Sequence, residues 1–156
     1  MKILLIFPPQ NLEERYSHAM GDVGGFLPPL GLCYMAAVLE QHNHDVQIMD
    51  CPVNNYGLKD ILERIRSFHP AVVGLAAITS LEHVTKGICT AIKNEFPDIT
   101  IIVGGPHATI MPKEVAAEMP VDIVLVEEAD AKIAEVVADM PKYREMKIVH
   151  CGKVKD

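Results

Sequence analysis

Ile99-Thr100-Ile101-Ile102-Val103-Gly104-Gly105-Pro106-His107-Ala108-Thr109 decides the fold of this chain, because a β-branched apolar run stops there at two glycines and a proline. Apolar residues at positions 99, 101, 102 and 103, without polar alternation, describe a strand buried on both faces, as in a parallel sheet covered by helices on each side. Gly104 and Gly105 remove two side chains where the strand leaves the sheet, so a bulky group can lie against the main chain.

Further apolar runs at Ile3 to Phe7, Val46 to Met49, Ala71 to Ile78 and Val121 to Val126 alternate with segments of helical period. Leu32, Ala36 and Leu39 mark a first helix. Leu58, Ile61, Leu62, Ile65 and Phe68 mark a second; Val84, Ile88, Ala91 and Ile92 a third; and Ile133, Val136, Val137 and Met140 the last. Pro112 suits the first turn of another, shorter helix. Alternating strands and helices predict an α/β domain over residues 1–140. Its expected form is a doubly wound, flavodoxin-like (Rossmann-like) parallel sheet of five strands in the order 2-1-3-4-5, with helices on both faces. Residues 141–156 form an extension in which Lys147 to Lys155, alternating around Cys151-Gly152, makes a small hairpin or a sixth strand.

The chain has 156 residues, 49% hydrophobic and 22% charged, which is one ordinary globular domain with no room for a second catalytic one. Its net charge of -7 argues against nucleic acid and against an anionic membrane surface. Met1 to Phe7 is too short for a signal-peptide core and ends in Pro8-Pro9, so it reads as a first strand, and nothing else approaches a membrane span. Cys33, Cys51, Cys89 and Cys151 are scattered without a C-x-x-C pair, which points away from zinc and redox dithiols and towards a reducing cytoplasm.

The loops entering the strands are short and polar, whereas those leaving them hold the long segment Pro8 to Pro29, Thr79-Ser80, Gly104 to Thr109 and Glu127-Glu128. Ligands of open α/β sheets bind at that carboxyl end. A phosphoacceptor domain needs acids after the first and third strands, but Phe7-Pro8-Pro9 and Ile78-Thr79 stand there. A flavin mononucleotide site of flavodoxin type needs backbone N–H donors after the first strand, which two prolines cannot supply. No G-x-G-x-x-G follows that strand to hold a dinucleotide.

Pro8-Pro9, Pro28-Pro29-Leu30-Gly31-Leu32-Cys33-Tyr34-Met35-Ala36-Ala37-Val38-Leu39-Glu40, Val73-Gly74, Thr79, Gly104-Gly105-Pro106-His107-Ala108-Thr109 and Glu127-Glu128-Ala129-Asp130 occur in order at the element boundaries. In this, over roughly residues 1–140, the chain resembles the cobalamin-binding domain at the amino end of many radical S-adenosylmethionine enzymes. The resemblance implies that the cofactor's nucleotide tail enters between sheet and helices, with the corrin across the strand ends and over Gly104 and Gly105. It places Pro8, Pro9, Leu30 and Gly31 in loops near the corrin, Thr79 and Ser80 at the tail or its phosphate, His107 beside a corrin amide, and Glu128 and Asp130 at ligand amides or a partner domain. Each has a plainer reading too. Thr79-Ser80-Leu81-Glu82 is a capping box, Pro28 to Leu32 a helix start, His107 a loop histidine tied to main chain, and Asp130 a helix cap.

Cobalamin carriers of the methionine synthase kind share D-x-H-x-x-G, whose histidine binds cobalt. Tyr16-Ser17-His18-Ala19-Met20-Gly21 keeps H-x-x-G but has Tyr16 in place of the orienting aspartate, so His18 is a candidate lower ligand that lacks its second partner. Glu127 replaces the glycine of the family's G-E-x-E or G-E-x-D pattern. The C-x-x-x-C-x-x-C loop that holds an iron–sulfur cluster in radical enzymes is absent, so this chain is not expected to make the radical. The expectation is a cobalamin-binding module presenting its corrin to a radical S-adenosylmethionine or methyltransferase partner. The alternatives are a flavin- or nucleotide-binding protein of the same fold and a cofactor-free interaction module.

Overall fold

A computed structural model describes residues 1–10 and 27–152. Its sheet has six strands, all parallel, in the order β2-β1-β3-β4-β5-β6. In chain order come β1 (Lys2–Phe7), α1 (Leu30–Gln41), β2 (Asp45–Asp50), α2 (Cys51–Asn54), α3 (Leu58–Phe68) and β3 (Val72–Ala76). A 3-10 turn, Thr79–Leu81, leads into α4 (Glu82–Glu95), followed by β4 (Thr100–Gly104), α5 (Pro106–Ile110), α6 (Pro112–Glu118) and β5 (Ile123–Val126). Then α7 (Ile133–Ala138), α8 (Met140–Met146) and β6 (Ile148–His150) complete the described chain.

The flavodoxin-like order is therefore present, with six strands rather than the expected five. Ile148–His150 pairs parallel with β5 (Val124 with Ile148, Val126 with His150), and among the described residues no hairpin forms around Cys151-Gly152. The chain returns to the starting end of the sheet through α7 and α8, and a strand laid down after such a crossover runs parallel to the one before it. The expected single last helix is broken at Asp139, since Pro141 lacks an N–H and would clash with the carbonyl of the preceding turn; it sits instead in the first turn of α8.

Side-chain alternation along each strand divides the core into two layers. Leu4, Ile6, Val73, Leu75, Ile101, Val103 and Val124 point to one face, where Ile61 and Ile65 of α3, Ile88 and Ile92 of α4 and Val115 of α6 cover them. Ile3, Leu5, Val72, Ile102, Ile123 and Leu125 point to the other, under Leu32, Ala36 and Leu39 of α1, Ile133, Val136 and Val137 of α7 and Tyr143 of α8. Cys51 and Cys89 lie in the first layer, and burial pushes both thiols up to about 12.

The segment after β4 is not a plain loop. Ala77 N–H donates to Gly104 O (2.7 Å) and His107 N–H to Ala77 O (3.0 Å), so the chain must turn within Gly105, at φ 105 and ψ -174. That region of backbone space is essentially glycine's alone. A Cβ there would also lie 3.0 Å from Ala77 O, whereas one on Gly104 would meet Leu125 Cβ at an ordinary 3.5 Å.

The amino-terminal edge of the sheet is tied by Asp122. Its Oδ2 accepts the Ile101 N–H (2.7 Å) and pairs with Lys93 Nζ (2.8 Å), which also donates to Ile99 O (2.7 Å). Arg144 reaches Thr100 Oγ1 and stands 3.9 Å from the other Asp122 oxygen.

Two stability predictions follow from these contacts, both read by urea denaturation. Gly105→Ala should destabilise the fold by about 1–3 kcal/mol while Gly104→Ala stays within about 0.5 kcal/mol of wild type. Asp122→Ala, which strands the Ile101 amide and takes away the anionic partner of Lys93, should cost about 1.5–3 kcal/mol. Equal stability of the two glycine variants would contradict the first expectation, and a neutral Asp122→Ala the second.

Candidate functional site

Face by face, β3 and β4 are not equally filled. On the α1/α7 side the residues nearing the carboxyl end are Val72, Gly74 and Ala76 on β3 and Ile102 and Gly104 on β4, with Gly74 beside Ile102 and Ala76 beside Gly104. Small residues on neighbouring central strands leave a trough, and α1 and α7, which touch each other, roof it without filling it. The result is a cleft of about 390 Å³, within the range of small-molecule sites. Leu5 and Phe7 of β1, Leu125 of β5, Tyr34 and Met35 of α1 and Ile133 and Val137 of α7 form its walls.

Each glycine in the cleft has its own reason. A Cβ on Gly74 would meet Leu5 Cδ2 at 2.7 Å, so that space is used by the protein itself, as is the space beside Gly105. Gly104 and Gly31 are different, because a methyl group would fit at either without displacing protein atoms. Their bareness leaves room in the cleft rather than in the core.

The sequence-derived residues divide accordingly. Leu30, Gly31, Gly104, Gly105 and Glu128 line the cleft. Pro8 is buried and Pro9 half-buried just after β1, and neither lines it. Thr79 and Ser80 are exposed at the 3-10 turn and lie off its wall; Thr79 Oγ1 instead sits 3.3 Å from Nδ1 of His107, which is only 7% exposed. No capping box forms there, since α4 begins without a side-chain cap. His18 and its neighbours lie outside the described residues. Asp130, the other acid of the Glu127 to Asp130 segment, lines the cleft as well, and so do Phe7, Gly74 and Ala76, which were not singled out as site residues; the i, i+2 spacing of Val72, Gly74 and Ala76 was the available signal.

The loop after β5 supplies the cleft's charge. Glu127, in the left-handed region at φ 71, donates its N–H to Thr109 Oγ1 (3.0 Å) and accepts the Gly152 N–H on Oε2 (3.1 Å). Glu128 is exposed, with its N–H on Gly152 O at 3.3 Å. Asp130 does not cap α7, whose N-cap position is Lys132 with no side-chain bond, and its Oδ1 is buried without a hydrogen-bond partner among the described residues. No Lys, Arg or His is among the described residues that line the cleft. The helix terminus at its mouth has no free cradle of amides either. Pro28 and Pro29 have no N–H, Leu30 N–H donates to Pro28 O (2.8 Å), and the Leu32 and Cys33 amides donate to Pro29 O (2.9 and 3.1 Å). Among the described residues no group of three or more His, Cys, Asp or Glu could hold a metal, and no helix is long and apolar enough to cross a membrane.

Several known proteins are similar to this chain. An uncharacterized methyltransferase of Pyrococcus horikoshii is 34% identical over 94% of this chain and 31% of its own length. The cytidylyl-2-hydroxyethylphosphonate methyltransferase of Streptomyces wedmorensis is 30% identical over 83% of this chain and 26% of its own. An anaerobic magnesium-protoporphyrin IX monomethyl ester cyclase of Rubrivivax gelatinosus is 27% identical over 97% and 26%. The chain thus spans a third or less of these relatives. Among solved structures, a cobalamin-binding protein of Desulfitobacterium hafniense DCB-2 superposes with a TM-score of 0.49 at 21% identity, covering 67% of this chain and 44% of that one. The sequence profile of the B12 binding domain matches residues 16–137, most of the chain, which therefore belongs to the B12-binding domain family and has cobalamin as its cofactor.

Proposed function

We propose that this chain is a carrier module that seats the nucleotide tail of cobalamin in the cleft between the sheet and α1/α7 and offers the exposed side of the corrin to a catalytic partner. The partner is of radical S-adenosylmethionine or methyltransferase type, on a separate chain or in the same longer polypeptide. The observation that carries this reading is the chemistry of the cleft. It has a small-residue floor at Gly74, Ala76 and Gly104, apolar walls, acids at its mouth and no described cation among its lining. A flat heterocyclic tail fits such a trough. A phosphate monoester, as in flavin mononucleotide, would face Glu127, Glu128 and Asp130 without a compensating Lys or Arg.

The residues have separate tasks in this reading. Gly104 lets the cofactor approach the ends of β3 and β4, Gly105 turns the chain at the cleft wall, and Leu30 and Gly31 line the α1 side. Glu128 faces the ligand's amides. Pro8, Pro9, Thr79, Ser80 and His107 hold the surrounding loops, the last through its contact with Thr79. Leu30 and Tyr34, both exposed, leave an apolar rim at the cleft, a surface suited to being covered by another protein. Bound cobalamin supplies methyl or electron transfer, which the polypeptide's own groups do not provide. His18 is the candidate lower cobalt ligand.

Three measurements test the reading. Purified chain mixed with cobalamins or flavin mononucleotide and then desalted should keep the corrinoid absorption and lose the flavin; a colourless protein after cobalamin treatment sinks it. Gly104→Leu should remain folded yet bind cobalamin at least about tenfold more weakly, a loss of about 1.4 kcal/mol, because its side chain occupies the trough. Retained wild-type affinity in that variant would place the ligand elsewhere. Coordination by His18 predicts that His18→Ala alters the visible and paramagnetic spectra of the reconstituted protein, and identical spectra remove it from cobalt.

A further inference from the structure

Asp130 is the one buried polar side-chain atom among the described residues that the fold leaves unused. Its Oδ1 is shielded from solvent, has no hydrogen-bond partner there, and belongs to a residue on the cleft wall. Buried acceptors are nearly always paired, and an unpaired one pays its desolvation with no return. The turn does not need it: Lys132 and Ile133 N–H both close on Ala129 O, at 2.9 and 2.8 Å. Nearby charges are committed elsewhere, Lys132 Nζ to Glu135 Oε2 at 2.5 Å and Glu127 Oε2 to the Gly152 N–H at 3.1 Å. What Asp130 lacks is a donor, and a ligand entering the cleft is the natural source of one.

We propose that Asp130 accepts a hydrogen bond from an O–H or N–H of the bound cofactor and so helps the cleft select a ligand that presents a donor at this point. The assignment rests on the cobalamin reading. Cobalamin carries both kinds of donor, hydroxyl on the ribose of its nucleotide tail and amide N–H around the corrin; the tail's own phosphate, an anion without a donor, has to lie away from a carboxylate, which accepts and does not donate.

The test compares the wild-type chain with Asp130→Leu and Asp130→Asn, titrated with cobalamin and with cobinamide, the corrinoid that lacks the nucleotide tail. Affinity is read by equilibrium dialysis and the ligand-free thermal midpoint by circular dichroism. Asp130→Leu should keep or raise the midpoint, since it removes an unpaired acceptor, yet weaken cobalamin binding about tenfold to a hundredfold. Asp130→Asn, which retains a carbonyl acceptor, should lose less. A Leu-for-Asp loss that persists with cobinamide assigns the donor to a corrin amide; one confined to cobalamin assigns it to the tail. Tight wild-type binding with no loss in Asp130→Leu, or a lowered midpoint with unchanged affinity, overturns the role of Asp130 and leaves the cobalamin reading standing. A wild-type chain that binds neither corrinoid overturns the cobalamin reading itself.

Discussion

The hydrogen bonds that join the ends of β3 and β4, Ala77 N–H to Gly104 O and His107 N–H to Ala77 O, set the shape of everything above them. They pin both strands to the point where the chain has one residue in which to change direction, and only glycine reaches the required φ and ψ. The turn sends Ala108 and then Val115 into the layer covered by α3 and α4. Nothing from this segment is left to cover Gly104 and Ala76 on the opposite face. The cleft is therefore a consequence of the direction in which β4 is left, and it opens at the carboxyl ends of the central strands, where this class of fold takes its ligands.

Most of the architecture was legible because it is written locally. Strands buried on both faces appear as continuous β-branched runs, and α1, α3 and α4 as apolar stripes at helical spacing, so their order alone implies a parallel sheet. β6 was ambiguous for the opposite reason: its three residues, Ile148–His150, include a polar one and become a strand through pairing with β5. Pro106–Ile110 reads as loop because two glycines and a proline precede it, yet proline is well placed in a first helical turn, and Thr109 N–H closes that turn on Gly105 O at 3.0 Å. The site was legible in its positions more than in its causes. Gly104 and Gly105 look alike in sequence, but one spares room for the cleft and the other makes room for Ala77. Thr79 and His107, each expected at the ligand, also face one another, a side-chain direction that no periodicity encodes.

Glu127 shows how a departure from a family pattern can preserve the shape the pattern encodes. Where the resemblance expects glycine, this chain has a glutamate held at φ 71, a left-handed conformation costing a side-chain-bearing residue roughly 1–2 kcal/mol. The glycine is thus explained by backbone geometry rather than by close approach of a ligand. The cost is offset by what the side chain gains. Its carboxylate accepts the Gly152 N–H, and with Glu128 N–H on Gly152 O it ties the end of the sixth strand to the loop that borders the cleft.

The two edges of the sheet embody different solutions to the same polar accounting. At the amino-terminal edge Asp122 satisfies a strand amide and a lysine at once, with Arg144 alongside, so the charges there are matched within the protein. At the carboxyl edge an acceptor on Asp130 is buried without a partner among the described residues, a glutamate is held in strained backbone, Leu30 and Tyr34 are 63% and 64% exposed, and Gly104 gives up a side chain the fold could accommodate. A sequence that satisfies its polar groups at one end has not failed to do so at the other by want of means. Local rules are broken together where a structure awaits something from outside it, and here the breaks surround one cleft. Stability is invested at the end of the sheet where Asp122, Lys93 and Arg144 meet, and the end left incomplete is the one that the proposed cofactor site occupies.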